Sequence, residues 1–121
     1  MILIINTINR NNIEIGIYDK HELRFFEFET EKQSEDLLNA IDGVLKKEKT
    51  SLQDIGSILV NQGPGSYTGV RVGVTVANTL GWSLNVPVFG YKDGELEKTL
   101  AKLSTSKISK FSKITLPYYS K

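Results

Sequence analysis

The fold is decided by the stretch Val60-Asn61-Gln62-Gly63-Pro64-Gly65-Ser66-Tyr67-Thr68-Gly69-Val70-Arg71-Val72-Gly73. An apolar run, Ile58-Leu59-Val60, leads into it, and a segment with helical spacing leaves it and continues to Leu84. This pattern predicts a strand, a tight glycine-rich loop and a helix. The backbone N–H groups at such a helix start carry positive partial charge. The loop therefore favours an anion, and phosphate is the commonest one.

The spacing of the loop glycines fits neither of two common phosphate-binding motifs. A Walker loop requires Lys and then Ser or Thr after its last glycine, whereas Val70 and Arg71 follow Gly69. The order of Gly63, Gly65 and Gly69 is G-x-G-x-x-x-G, which differs from the dinucleotide fingerprint. Two interpretations stay open on spacing alone: a phosphate loop, and a corner that needs glycine backbone conformations.

The literal residues resemble one family. The string GPGSYTGVRVG at 63–73, followed by NVPVFGY at 85–91, is similar to the GPGSFTGLRIG…DIPLVGV stretch of the bacterial TsaB (YeaZ) family. The segment QSEDLL at 33–38 resembles the HSE-x-LL segment of that family. The resemblance covers residues 2–91, and it implies a partner subunit of the machinery that makes threonylcarbamoyladenosine in tRNA.

The composition is that of an ordinary soluble domain, with 121 residues, 40% of them hydrophobic and 24% charged. Absence of cysteine excludes thiolate metal sites, and His21 is the only histidine, so we expect neither metal ligands nor catalytic residues. No apolar run approaches the roughly 20 residues of a membrane span. The start, Met1 to Asn6, reads as a strand and not as a signal peptide. We expect a cytoplasmic protein without membrane contact.

Hydrophobic patterning predicts the element order βββαβαβ. Three strands in meander come first, and Thr30 or Ser34 is predicted to cap the helix that follows. Crossovers after a meander imply a mixed five-stranded sheet with helices on it. This α/β arrangement matches one ribonuclease-H-like half of the actin/Hsp70/sugar-kinase superfamily, which is also the fold of the resembled family. The predicted strands are 2–8, 13–18, 23–28, 57–61 and 86–90.

We predict a ribonuclease-H-like domain at 1–91 and a short helix with a basic tail at 92–121, the helix covering Gly94–Leu103. From Lys98 onward the chain contains six lysines and no acid. Such a tail is either a solvated terminus or a contact for RNA phosphates. Because the chain ends where the second half of the resembled family would begin, we expect a shortened form that lacks the second lobe.

The second predicted helix is more apolar than a surface helix requires. Its apolar residues sweep about 200°, whereas a one-sided helix needs roughly 100°. We therefore expect a second chain to contact it; the alternative is cover from its own chain. Trp82 lies on the narrow polar arc. The predicted interface residues are Gln33, Ser34, Leu37, Leu38 and Ile41 on the first helix and Val70, Gly73, Val74, Ala77 and Gly81 on the second.

The resemblance also implies partners and a nucleotide-proximal loop. The partners are a TsaD-like protein and a TsaE-like ATPase, with a homodimer in their absence and tRNA reached only through the complex. ATP or ADP would lie at the joint interface and not on this chain alone. Asn6 stands where the family has Asp in its IDTS segment, which removes a magnesium ligand. The loop residues are Gly63, Pro64, Gly65, Ser66, Tyr67, Thr68, Gly69 and Arg71.

Three functional interpretations remain. The first is a non-catalytic subunit that supports threonylcarbamoyl transfer to tRNA adenosine by pairing its two helices with a TsaD-like ATPase or with its own copy. The second is a small nucleotide- or phosphate-binding domain that uses Gly63–Gly69. The third is a homodimeric regulatory remnant that no longer serves the tRNA pathway.

Overall fold

The computed structural model of the protein describes residues 1–105, which contain five strands and three helices. In chain order these are β1 (Ile2–Asn6), β2 (Asn12–Asp19), β3 (Glu22–Glu29), α1 (Gln33–Lys47), β4 (Ser57–Asn61), α2 (Tyr67–Leu84), β5 (Val88–Tyr91) and α3 (Leu96–Thr105). One 3₁₀ turn, Leu52–Asp54, precedes β4. The predicted order βββαβαβ is confirmed, and the helix after it begins at Leu96 instead of Gly94.

The sheet is mixed and has the strand order β3-β2-β1-β4-β5. The first three strands pair antiparallel because short connections join them. The turn between β2 and β3 places Lys20 and His21 in the left-handed region, with φ of 51° and 66°, which suits a two-residue hairpin. β4 pairs parallel with β1, and β5 with β4, since a helix carries the chain between β4 and β5. The predicted mixed five-stranded sheet is confirmed.

Successive residues of β1 divide the core between the two faces of the sheet. Leu3 and Ile5 belong to the larger cluster under α1 and α2, whereas Ile4 packs with Leu59 and with Leu100 of α3 on the opposite face. Leu3, Ile4 and Ile5 are all fully buried. Because both faces of β1 are covered, its sequence is an unbroken apolar run without polar alternation.

Helix α1 begins at Gln33 without a side-chain cap. The Thr30 hydroxyl instead donates to the Asp36 carboxylate at 2.6 Å and accepts the Lys32 N–H at 2.8 Å. Ser34 lies inside the first turn. The predicted capping role of Thr30 or Ser34 is therefore wrong. The helix is held mainly by its buried stripe, which consists of Leu37, Ala40, Ile41, Val44 and Leu45.

The α2 residues that we predicted from the sequence to contact a partner face the sheet of their own chain. Those buried residues are Val70, Gly73, Val74, Ala77 and Gly81. A side chain added at Gly73 would meet Thr7, and one at Gly81 would meet Val88, so the small residues admit the chain's own strands. The prediction that these five residues contact a second chain is wrong. β1, β4, β5 and α1 all contact α2 and cover the inner part of its wide apolar arc.

Candidate functional site

The loop between β4 and α2 is a tightly fitted corner against the end of β1. Gly63 has a φ of 93°, a conformation that favours glycine, and the Gly63–Pro64 peptide bond is cis. A Cβ atom added at Gly65 would lie 2.6 Å from Cβ of Ile8. Ser66 then caps α2, because its hydroxyl accepts the N–H of Gly69 at 3.1 Å.

Backbone amides of this loop already donate within the chain. The Gly63 N–H donates to Oδ1 of Asn61 at 2.8 Å, and the Ser66 N–H donates to the carbonyl oxygen of Ile8 at 2.9 Å. Pro64 has no N–H to offer. A phosphate cradle needs converging donors that are not engaged elsewhere. The geometry therefore favours the interpretation as a structural corner over the interpretation as a phosphate loop.

Two asparagines end the neighbouring parallel strands β1 and β4 in the same way. The side-chain oxygen of Asn6 accepts the Ile8 N–H at 3.2 Å, and its amide nitrogen donates to Glu14 at 3.0 Å. Asn61 repeats this arrangement: it accepts a loop N–H at 2.8 Å and donates to Asp93 at 3.2 Å. Each strand end thus pairs a neutral amide with a carboxylate that comes from another element.

Tyr91 is buried next to these two strand ends and is 4% exposed. Burial, followed by the negative charges of Glu14 and Asp93, raises the pKa of Tyr91 well above its usual range. The phenol therefore stays protonated at neutral pH. It can take part in hydrogen bonds there, but it cannot act as a base or as a nucleophile.

The side chain of Gln33 points into the molecule and holds the connection between β1 and β2. Its Nε2 lies 3.1, 2.7 and 2.8 Å from the carbonyl oxygens of Thr7, Asn9 and Asn12. Thr7 in turn donates its hydroxyl to the carbonyl of Gly69 at 2.6 Å. Gln33 thereby links the start of α1 to the first turn of α2. Gln33 is 8% exposed, and its amide is engaged within its own chain.

An apolar strip crosses the outer side of α1 and α2. Leu38 is 55% exposed, and Val72, Val76 and Leu80 are half-buried at the edge of the core. The three α2 residues recur every fourth position, so they form one row along the helix. We call this row with its neighbours the helix-pair surface, which consists of Ser34, Leu38, Tyr67, Val72, Thr75, Val76 and Leu80.

Shallow hollows open on the helix-pair surface. The larger one, of about 410 Å³, is lined by Ser34, Tyr67, Thr68, Arg71, Val72, Thr75 and Val76. A smaller one, of about 190 Å³, is lined by Leu38, Ile41, Asp42, Leu45, Leu52 and Leu80. The Arg71 guanidinium stacks over the Tyr67 ring at 5.5 Å from its centroid and is the only cation in the lining of the larger hollow. The lining suits apolar side chains of a partner and one negative group.

The C-terminal end of the glycine loop borders the helix-pair surface. Thr68 and Ser34 line the larger hollow and also a neighbouring one of about 240 Å³ that reaches Asn11. Tyr67 and Arg71 belong to the same region, whereas Gly63 lies at the far end of the loop, where its carbonyl accepts the N–H of Asp93. The predicted loop residues therefore do not form one site, and only Tyr67, Thr68 and Arg71 line the larger hollow of the helix-pair surface.

Among the predicted interface residues, Ser34 and Leu38 are exposed. Leu37 is 0% exposed and faces the core between α1 and the sheet, so its predicted contact with a partner is wrong, whereas Ile41 is 2% exposed and borders the smaller hollow. Val72, Val76 and Leu80, which the predicted interface did not include, are half-buried and lie on the helix-pair surface. The signal that identifies them is their position at the boundary between the apolar arc and the outward polar residues of α2, such as Thr75.

Two kinds of site are absent from residues 1–105. No group of three or more His, Asp or Glu side chains lies close enough together to hold a metal ion in that part of the chain. None of its helices combines the length and the apolarity that crossing a membrane requires.

Comparison with known proteins identifies a family for this chain. Residues 27–106 match the family model described as TsaD: tRNA N6-adenosine threonylcarbamoyltransferase. Two curated relatives are named tRNA threonylcarbamoyladenosine biosynthesis protein TsaB. The one from Bacillus subtilis (strain 168) is 51% identical over 49 residues, which are 40% of this chain and 21% of the relative. The one from Escherichia coli (strain K12) is 34% identical over 65 residues, which are 54% of this chain and 28% of the relative.

A solved structure shares the fold. YeaZ from Pseudomonas aeruginosa superimposes with a TM-score of 0.72 at 19% sequence identity, over 85% of this chain and 51% of that chain. The predicted ribonuclease-H-like half with a mixed sheet is confirmed. The chain spans about half the length of this solved neighbour, and its matches cover smaller shares of the curated relatives.

Proposed function

This chain belongs to the TsaD family, in which it is a TsaB (YeaZ) protein, and from that membership we propose that it is a non-catalytic subunit in the synthesis of N6-threonylcarbamoyladenosine in tRNA. It docks through the helix-pair surface on a TsaD-like ATPase, or on a second copy of itself when that protein is absent. The TsaD-like protein supplies the chemistry, a TsaE-like ATPase joins the assembly, and tRNA is reached through the complex.

The observation that carries this proposal is the apolar strip of the helix-pair surface. Single exposed apolar residues are ordinary. Here Leu38, Val76 and Leu80 belong to one strip over two helices, beside Tyr67, which is 58% exposed. Covering such a strip removes apolar area from water, which favours association. A row with a spacing of four residues also forms a ridge that packs into the groove of another helix. A second helix pair therefore fits this surface.

The ends of β1 and β4 support a non-catalytic role. Asn6 and Asn61 are neutral, and a neutral amide is a weaker ligand for Mg²⁺ than a carboxylate. Both amides are also engaged, with Glu14 and Asp93 respectively. Tyr91 beside them stays protonated, as its raised pKa requires. These residues offer neither a ready metal ligand set nor a base, so the reacting groups are expected on the partner.

We place ATP or ADP at the joint between this chain and its partner. Ser34 and Thr68 line hollows at the edge of the helix-pair surface, and the exposed guanidinium of Arg71 can pair there with a phosphate oxygen. The amides of Gly63 and Ser66 donate within the chain, so the isolated chain should bind nucleotide weakly. Titration calorimetry with ADP tests this part, because strong binding to the chain alone would favour the phosphate-loop interpretation.

The docking proposal is tested by size-exclusion chromatography with light scattering, with and without a TsaD-like protein. The double variant Leu38→Glu, Val76→Glu puts two charges on the strip and should elute separately from the partner. Trp82→Glu is the matched control, because Trp82 lies on the same helix and is 83% exposed, but lies outside the strip. It should bind like the wild type. A wild-type chain that stays separate at micromolar concentration overturns the proposal, and so does a double variant that still binds.

Growth complementation separates this subunit from a homodimeric regulatory remnant. In a bacterial strain depleted of its own TsaB, the wild-type chain and the Trp82→Glu control should restore threonylcarbamoyladenosine in tRNA, measured by mass spectrometry of nucleosides. The double variant should not. If the wild-type chain forms a homodimer but restores no modified nucleoside, the remnant interpretation is the correct one.

A further inference from the structure

Strand β3 forms one edge of the sheet. It stands first in the strand order β3-β2-β1-β4-β5, so it pairs with β2 on one side only. The pairing with β2 is continuous from Glu22 to Glu29, without a bulge. Alternate residues of such a strand direct their N–H and C=O groups away from the sheet. In the described residues 1–105, no other strand pairs with these outward groups of β3.

β3 has few of the features that protect a sheet edge. Proteins close an edge with Lys or Pro in the strand, with a bulge, or by keeping the edge strand very short. β3 has eight residues, ELRFFEFE, and contains neither Lys nor Pro. β5, at the other edge, has only four residues. β3 is therefore the longer of the two edges and can accept a further strand.

A hollow of about 340 Å³ opens beside this edge, on the face of the sheet that α1 covers. Its lining residues come from β3 and α1 and are Phe26, Glu27, Phe28, Gly43, Val44 and Lys47. Phe26 and Phe28 are half-buried at the margin of the larger core cluster. A Cβ atom added at Gly43 would meet nothing within 4 Å beyond its own helical backbone, so the hollow is open there. An apolar side chain that enters the hollow from the edge would cover both rings.

The opposite face of β3 combines an aromatic ring with negative charge. Leu23, Phe25, Glu27 and Glu29 alternate with the residues that face α1, so they share this face. Phe25 is 43% exposed, and Glu27 and Glu29 are exposed carboxylates. Lys and Arg have an apolar stem and a positive end, so their side chains can lie on the ring and pair with an acid beside it. This face therefore favours basic side chains.

We propose that the outer edge of β3 binds an extended segment of a partner protein as a sixth strand of the sheet, and that apolar residues alternate with Lys or Arg in this segment. The main chain of the segment bonds to the outward N–H and C=O groups of β3. Its apolar side chains enter the hollow beside Phe26 and Phe28. Its basic side chains lie on the other face, over Phe25 and beside Glu27 and Glu29. This site is independent of the docking proposal, which concerns the helix-pair surface.

A second copy of β3 fits this edge less well than a basic segment does. In a symmetric antiparallel pair of two β3 strands, each residue lies opposite a residue of the same face. The face with Glu27 and Glu29 would then meet only Leu23, Phe25 and the same two acids of the other copy. No basic residue of the second strand would reach the carboxylates. A partner segment with Lys or Arg supplies the charge that a second copy lacks.

Fluorescence anisotropy with the full chain tests the proposal. The probe is a fluorescein-labelled peptide of the same length as β3 in which Val and Lys alternate. It should bind saturably, and the matched peptide of Val and Glu should bind at least about ten times more weakly at low salt. N-methylation of one alternate set of peptide residues should abolish binding, whereas N-methylation of the other set, whose amides face solvent, should not. Equal effects of the two methylations overturn the proposal, and so does a Val and Lys peptide that shows no saturable binding.

Two variants test the hollow. Gly43→Leu fills it and should weaken binding of the Val and Lys peptide at least about fivefold. The variant should fold, because Leu is a better helix former than Gly and the added side chain enters open space. Gln53→Leu is the matched control: it adds the same side chain at an exposed position outside the lining of the hollow, and it should bind like the wild type. If the two variants bind equally, the hollow does not receive the peptide.

The charged face is tested by the double variant Glu27→Gln, Glu29→Gln. It should weaken binding of the same peptide roughly threefold to tenfold at low salt, because two exposed ion pairs are lost. The control Glu31→Gln, Glu35→Gln removes two exposed acids outside β3 and should bind like the wild type. Equal binding by the two double variants would contradict the proposed role of Glu27 and Glu29.

Hydrogen exchange followed by mass spectrometry locates the contact. Bound peptide should slow deuterium uptake in residues 22–29 and leave the uptake of α2 unchanged, because an added strand protects the outward amides of β3. Protection of α2 alone would place the peptide on the helix-pair surface and overturn the proposal. Protection of residues 22–29 that rises with protein concentration in the absence of peptide would assign the edge to a second copy, which also overturns it.

Discussion

The inner and outer sides of α2 are both rich in apolar residues, but the described part of the chain fully buries only the inner side. On the inner side Val74 and Ala77 are at most 2% exposed, because the sheet lies directly against them. On the outer side Val76 and Leu80 are half-buried and border the helix-pair surface. The comparison shows that a surplus of apolar residues on a helix does not by itself indicate a partner. The half-buried residues at the margin of the buried arc form the helix-pair surface, which we propose as the docking site.

The strongest test of this difference introduces an acidic side chain on each side of α2 in turn. Ala77→Asp should destabilise the fold by more than about 4 kcal/mol, because it buries an unpaired carboxylate. Thr75→Asp, two residues earlier and exposed, should cost less than about 1 kcal/mol. Urea unfolding followed by circular dichroism measures both. Similar losses for the two variants would mean that α2 does not lie on the sheet as described.

The first turn of α1 offers the same contrast between adjacent residues. Gln33→Leu should destabilise the fold by about 2 to 3 kcal/mol, because the carbonyl groups of Thr7, Asn9 and Asn12 lose their shared donor. Ser34→Ala, at the neighbouring exposed position, should change stability by less than about 0.5 kcal/mol. Chemical unfolding at neutral pH measures the difference. A Gln33→Leu variant as stable as Ser34→Ala would show that the amide does not hold the β1–β2 connection.

The smallest effect is expected at the turn beside the smaller hollow, where Asp54 is exposed. Hydrogen bonds from the Thr50 hydroxyl and then from Ser51 hold the pKa of Asp54 below its usual value of 3.8. Because the folded state favours the carboxylate, its contribution is present above pH 3.8 and is lost as the pH falls through the lowered pKa. Asp54→Asn should therefore be slightly less stable than the wild type at neutral pH, with the difference disappearing in acid.

Thermal unfolding of the wild type and of Asp54→Asn across the acidic pH range measures this difference in stability. Glu31→Gln is a suitable control, because Glu31 is also an exposed acid and its hydrogen-bonding is not expected to change on folding. A stability difference for Asp54→Asn that stays constant down to strong acid would contradict the assignment.

The sheet could be predicted from the sequence because each strand is specified locally. Alternation in β2 and the unbroken apolar run of β1 indicate how many faces of each strand are covered. The turn at Lys20 and His21 sets the register of the hairpin, and the crossover through α2 sets the parallel pairing. These signals lie within a few residues of the elements that they define. The fold was therefore accessible without knowledge of distant contacts.

The contacts of the site could not be predicted in the same way, since they join residues far apart in the sequence. The Gln33 side chain binds carbonyl groups more than twenty residues before it, a contact that no local sequence pattern indicates. The Ser66 N–H donates to Ile8, which removes a donor that the glycine loop was expected to offer an anion. Helical spacing showed which residues of α2 share a side. It did not show that the sheet, and not another chain, covers Ala77.

The paired asparagines at the ends of β1 and β4 give two acids at this edge of the sheet a neutral hydrogen-bond partner. Each amide nitrogen donates a hydrogen bond to a carboxylate, Asn6 to Glu14 and Asn61 to Asp93. An aspartate at either position would bring two negative charges within hydrogen-bond distance, and their repulsion would raise the pKa of one carboxyl group. With asparagine in both places, each carboxylate instead meets a neutral hydrogen-bond donor.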